Sequence, residues 1–194
     1  MKHGATKAAE QSADTPQILV LGFGNTLRSD DGAGVALAEK LVVHWLAQGV
    51  GVQLLTTTQL LPELAAFIAQ EEVKAVVFVD TEVFVDTEVF VDTEVFVDTG
   101  IQIAKVELDS TSPSLGHHLD PTTLLVYAHL LYGRTPRAWL VTIPGQDFGH
   151  GQEFSPEVTR LLDSAPTVAT QLLARILVEI EECVPCMNLP LPKR

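Results

Sequence analysis

Cysteine is nearly absent from this sequence, and basic residues are outnumbered by acidic ones. Two cysteines, Cys183 and Cys186 in "CVPC", are too few for a disulfide framework. A CxxC pair is redox-active when it opens a helix after a strand, or half of a zinc site when a second pair exists. Here it follows a helical stretch, runs into a Pro-rich tail and has no second pair. It reads as two ordinary thiols of a cytoplasmic protein. Lys and Arg number 12 against 25 acidic residues, a net charge of −13, which excludes nucleic acid or an anionic membrane as main partner. No uncharged run approaches the roughly 18 apolar residues needed to span a bilayer. The opening "MKHGATKAAEQSADTPQ" has no apolar core, so it reads as a disordered leader over 1–16, not a secretory signal. Three catalytic signatures are also missing: a GxxxxGK phosphate loop, a GxSxG elbow and an HExxH zinc helix.

What the sequence has in excess is one hexapeptide. Residues 78–98 read "FVDTEVFVDTEVFVDTEVFVD", so that Asp80, Asp86, Asp92 and Asp98 are copies of one position. Three extra copies add six acidic residues; without them the charge is −7, that of a mildly acidic soluble protein. Six is an even number, so side-chain alternation along a continuous strand survives the insertion. A calcium array is excluded because the repeat lacks glycine turns and dense oxygen ligands.

Around the repeat, apolar strands alternate with amphipathic helices. "QILVLGFGN" reads as a buried strand, and "DDGAGVALAEKLVVHWLAQG" as a helix with apolar residues at Val35, Leu37, Ala38, Leu41, Val42, Trp45 and Leu46. "VGVQLLTTT" is a second strand, "LLPELAAFIAQEEV" a helix and "KAVVFVD" a third strand, followed by "IQIAKVEL" as an edge strand. "TTLLVYAHLLYG" predicts a helix ended by Gly133, "RAWLVTIPG" a strand, and "EVTRLLDSAPTVATQLLARILVEIEE" a long helical region. This order implies an α/β fold: a three-layer sandwich, a mostly parallel central sheet with room for one antiparallel edge strand, and helices on both faces. The expected organisation is one α/β domain over 17–182 and a tail over 183–194.

Ligands of such sheets bind at the carboxyl ends of the strands. There the sequence places Asn25, Arg28, Asp30 and Asp31 after the first strand, Asp80 after the third, His117 and His118 in "GHHLDP", and Asp147 in "PGQDFGHG". Carboxylates and imidazole together suit a borderline divalent cation. Plainer readings stand beside that one: Asp30 or Asp31 as N-cap of the next helix, Asp80 as a turn former, the histidines as a solvated loop. "GFGNTL" opens like a dinucleotide fingerprint, but Leu27 stands where the third glycine belongs.

"ILVLGFGNTLRSDDGAGV", followed in order by "TTTQLLPELA", "VVFVD", "GHHLDPTTLL" and "VTIPGQDFGHGQEFSPEV", resembles the NiFe-hydrogenase maturation proteases over roughly residues 17–180. "QLLPELA" and "PGQDFG" look closest to members serving bidirectional, NAD-coupled hydrogenases. The resemblance implies a cytoplasmic endopeptidase that removes the C-terminal extension of the hydrogenase large-subunit precursor after nickel insertion. It also implies that nickel is carried by the substrate and met by three residues: Asp31, an aspartate after the "VFVD" strand, and a histidine. By family spacing the histidine falls on His117, with Leu119 two residues on and His118 as the alternative. The middle aspartate departs from the family in being fourfold. Asp80, which ends the full-length strand, is favoured over Asp98, with Asp86 and Asp92 behind. Asn25, Asp30, Asp147 and Gly149 are expected to bind substrate, with the Asp147–Gly151 loop in the cleft wall. A non-catalytic factor that recognises nickel-loaded precursor and a nucleotide-binding module are the competing readings.

Overall fold

A computed structural model describes residues 17–83, 93–95, 100–108 and 119–183. Six strands form one sheet in the order β2-β1-β3-β6-β5-β4. They are β1 Gln17–Phe23, β2 Val52–Thr57, β3 Val73–Val83, β4 Thr93–Val95, β5 Gln102–Val106 and β6 Arg137–Gly145. β2, β1, β3 and β6 are mutually parallel, and β5 runs antiparallel to β6. The α/β sandwich expected from the sequence is the fold observed. Its antiparallel strand is β5, the "IQIAKVEL" stretch, with three residues of the repeat added outside it as β4.

The middles of β1 and β3, Ile18–Leu21 and Ala75–Val79, are apolar at every position because both of their faces are covered. In β1 and β3, alternate residues enter opposite cores. Ile18, Val20, Val77 and Val79 face one helical layer with Leu37, Leu41, Trp45 and Leu172. Leu19, Leu21, Val76 and Phe78 face the other with Ile68, Leu124 and Leu125. The first layer is α1 Ala33–Ala47, α4 Pro156–Asp163 and α5 Ala165–Cys183; the second is α2 Leu64–Ile68 and α3 Pro121–Tyr132. The Trp45 indole donates to the Ala169 carbonyl at 2.9 Å, satisfying the one polar group of a fully buried ring.

Three elements differ from their sequence expectation. The second helix is only Leu64–Ile68, because turns at Gln70 and Val73 bring the buried Val73 into β3. The C-terminal region is two helices bent by 50°. Pro166 lacks an N–H and cannot extend α4, and the Ser164 hydroxyl donates to the Leu161 carbonyl at 2.6 Å. Strand β3 does not stop at Asp80: it continues to Val83, because β6 offers partners as far as Gly145. Among the described residues no single helix is long and apolar enough to cross a membrane.

Candidate active site

Two loops at the carboxyl end of the sheet are sewn together by backbone hydrogen bonds. The first runs from Gly24 through a 3-10 turn, Ser29–Gly32, into α1. The second follows β6 to Ser155, the N-cap of α4. The Ser29 N–H donates to the Gly151 carbonyl and the Asp30 N–H to the Asp147 carbonyl, both at 2.9 Å, while the Gly151 N–H donates to Leu27 at 3.1 Å. The Arg28 guanidinium donates to the Phe148 carbonyl through Nε and a terminal nitrogen, at 3.3 and 3.2 Å. Ser29 is held at φ 45°, left-handed backbone that costs a non-glycine residue on the order of 1 kcal/mol and persists only where the surroundings impose it.

Asp30 is the pin of this seam. Its side chain has no exposed surface, yet both oxygens are occupied. Oδ2 accepts from the N–H groups of Gln146 and Asp147 at 2.9 Å each, and Oδ1 accepts from Ser155 at 2.7 Å. Burial pushes the carboxyl toward its neutral form, but the N–H groups of Asp147, Ser155 and Gln146 outweigh that and hold its pKa below the ordinary value. Asp30 is therefore a buried anion locked to the second loop. Asp30, expected from the sequence to bind substrate, has no exposed surface here and spends both oxygens on the second loop. Neither it nor Asp31 caps α1 by its side chain.

Asp31, the next residue, points elsewhere. Its Oδ2 accepts the Asn25 N–H at 3.1 Å, and the carboxylate remains partly exposed. Asp80 lies across from it on β3. Only a glycine fits between β3 and α1 here: a Cβ on Gly34 would stand 2.8 Å from the Asp80 Cα and 2.9 Å from the Phe23 oxygen. Asp80 is partly buried and its carboxylate accepts one N–H, that of Thr81, at 2.8 Å. Burial first, and then the negative charges of Asp31 and Glu82, raise its pKa to about 7 against the lowering by Thr81. The sheet thus brings Asp31 close enough to Asp80 for its charge to act there, with Asp80 titrating at about 7.

Asn25 lies beside this pair through its backbone. Its side-chain oxygen is turned back to the Leu27 N–H at 3.0 Å. Asp147 and Gly149 sit on the exposed part of the second loop, where the Asp147 Oδ1 accepts from Gly149 at 2.9 Å. His117, His118, Asp86, Asp92, Asp98 and Cys186 lie outside the described residues. Leu119, two residues past His117, packs on the second core and leads directly into α3. Among the described residues no group of three His, Cys, Asp or Glu side chains is placed to hold a metal ion.

Solved structures similar to this chain include hydrogenase maturation proteases. The chain superposes on the NiFe hydrogenase maturation protease HycI from Thermococcus kodakarensis KOD1 with a TM-score of 0.56 and 25% identity, over 84% of this chain and 94% of that one. It matches the hydrogenase maturating endopeptidase HybD from E. coli with a TM-score of 0.55 and 21% identity, over 84% and 93%. A third match, an endopeptidase from E. coli, has a TM-score of 0.52 and 22% identity over 84% and 93%. No family model and no curated protein sequence matches the chain. The fold is that of the maturation proteases.

Sequence reasoning passed over two residues that the geometry brings forward. Ser155 uses its N–H for Asp30 and its hydroxyl to cap α4, accepting from Val158 at 3.3 Å. Thr81 is buried, 8% exposed; its hydroxyl accepts the Gly34 N–H of α1 at 2.8 Å and faces the Asp31 carbonyl at 3.4 Å. The signal for Thr81 was present in "VDT", since every copied aspartate carries its threonine with it.

Proposed function

We propose that this protein is an endopeptidase of hydrogenase maturation, which removes the C-terminal extension of a NiFe-hydrogenase large-subunit precursor once nickel is in place. The observation that carries the reading is the convergence of Asp31 and Asp80 at the carboxyl end of the sheet, on the fold of the maturation proteases. In this reading the cation belongs to the substrate. Asp31, Asp80 and His117 meet it, with His118 as the alternative imidazole, and the enzyme acts in the cytoplasm. A divalent cation polarises a carbonyl or lowers the pKa of a water. The chain's own contribution is two carboxylates held rigidly enough to seat that cation beside the scissile peptide. A carboxylate with a pKa of about 7 also exchanges a proton readily at neutral pH, as a general acid or base must.

The NAD-coupled subtype rests on "QLLPELA" and "PGQDFG" alone. "PGQDFG" supplies two of the N–H groups around Asp30, a structural duty with no substrate preference in it. The nucleotide-binding reading fits the geometry poorly. The Gly34 N–H, which opens α1, is taken by Thr81, and a phosphate there would meet the charges of Asp31 and Asp80.

The test is incubation of the purified chain with nickel-loaded and nickel-free precursor, with loss of the C-terminal peptide read by mass spectrometry. Loss from the nickel-loaded form alone is expected. Equal cleavage of both forms, or none even after the 18-residue insertion is deleted, would overturn the proposal. Binding of loaded precursor without cleavage would instead mark a non-catalytic assembly factor.

A further inference from the structure

Thr81 occupies an unusual junction. Four segments meet at this one residue: its own strand, the first loop, the start of α1 and the end of β6. Its N–H donates to the Asp80 carboxylate at 2.8 Å. Its hydroxyl takes the Gly34 N–H at 2.8 Å and turns its proton toward the Asp31 carbonyl at 3.4 Å. Its methyl packs against Gly145, where an added Cβ would lie 2.8 Å from it. The same residue therefore touches the backbone of one acid of the site and the carboxylate of the other. The methyl and the hydroxyl do separable things. The methyl sets the distance to β6, and the hydroxyl ties β3 to the loop that carries Asp31.

Resting on the proposed peptidase reading, we infer that the Thr81 hydroxyl is a positioning group. It fixes the mutual placement of Asp31 and Asp80, and it makes Asp80 the working copy of the repeated aspartate. An aspartate of the repeat serves the site only if the threonine after it meets the first turn of α1. That condition is met by Asp80–Thr81, because Gly34 lets α1 approach the β3 backbone at that position. Thr93, by contrast, belongs to β4, paired with Ala104 on the far side of β5 from β6.

Two substitutions separate the hydroxyl from the methyl. Thr81→Val keeps the shape and removes the hydroxyl; Thr81→Ser keeps the hydroxyl and removes the methyl. Against nickel-loaded precursor, T81V is expected to lower kcat about 30-fold with KM within about twofold, because misplacing a reacting pair costs turnover more than binding. T81S is expected to stay within about threefold of the parent, and T93V to match it. Amide hydrogen exchange gives a second readout that needs no activity. The Asn25 N–H, which donates to the Asp31 carboxylate, should exchange about tenfold faster in T81V and be unchanged in T81S. Parent-like turnover and exchange in T81V would overturn the inference, and so would equal losses in T81V and T81S. If the chain cleaves nothing even after the insertion is deleted, the peptidase reading falls, and the exchange pattern alone decides whether the hydroxyl positions Asp31.

Discussion

Asp30 and Asp80 are aspartates at the same end of the same sheet, and their surroundings drive them in opposite directions. Asp30 is fully buried but receives three backbone N–H groups, so it stays charged. Asp80 keeps some exposed surface, yet its burial, offset by only one N–H and reinforced by the charges of Asp31 and Glu82, makes it hold its proton up to a pH of about 7. The state of each carboxylate therefore follows from burial weighed against the donors and charges that face it: three donors outweigh burial at Asp30, and one does not at Asp80. The first arrangement builds the site's wall. The second leaves a reactive group with unmet demand, which is the condition of a residue waiting for a cation or a proton.

The comparison breaks most visibly if Asp30 loses its charge. Asp30→Asn would turn an amide N–H₂ toward backbone N–H donors and leave at least one of them unpaired in the interior. A loss of about 3 kcal/mol is expected by urea unfolding at pH 7. A loss under about 0.5 kcal/mol would mean that the seam between the loops does not depend on it.

The pH dependence of stability sharpens the contrast, because the two acids act with opposite sign. Asp30 binds its proton less readily folded than unfolded, so its contribution is present above pH 3.8 and disappears as pH falls through its lower folded pKa. Asp80 binds its proton more readily folded, so stability falls as pH rises from 3.8 to about 7 and is then level. Asp80→Asn keeps an acceptor for the Thr81 N–H and abolishes the charge. It is expected to raise stability at pH 8 by about 2 kcal/mol, allowing for partial solvent screening, and to change little at pH 4. Unfolding curves for both proteins at the two pH values check this.

The smallest effect belongs to the copies. Asp86→Asn, Asp92→Asn and Asp98→Asn are each expected to change stability by less than about 0.5 kcal/mol at any pH from 4 to 8. A neutral-pH gain in one of them comparable to that of Asp80→Asn would move the strained carboxylate to that copy.

How much of this was legible beforehand depended on the range of the interaction. The layer order followed from local patterns: fully apolar strands, amphipathic helices and the edge alternation of "IQIAKVEL". Strand ends can be read from the chain, which put Asp30, Asp31 and Asp80 among the candidates; the choice of Asp31 over Asp30 came from the resemblance to the maturation proteases. The opposite fates of Asp30 and Asp31 were not legible, because adjacent residues in a 3-10 turn point apart, and the donors that claim Asp30 lie 116 to 125 residues away. The break at Ser164 was obscured by apolar periodicity on both sides of it, although Pro166 was in plain view. Thr81 was hidden by the repeat itself, where four identical threonines drew attention to the aspartates before them.

The most direct measurement compares two single variants against nickel-loaded precursor: Asp80→Asn and Asp98→Asn, with release of the C-terminal peptide followed over time. The account predicts that D80N cleaves at least about 100-fold more slowly than the parent while D98N stays within about twofold. Parent-like cleavage by D80N, or a collapse confined to D98N, would contradict it.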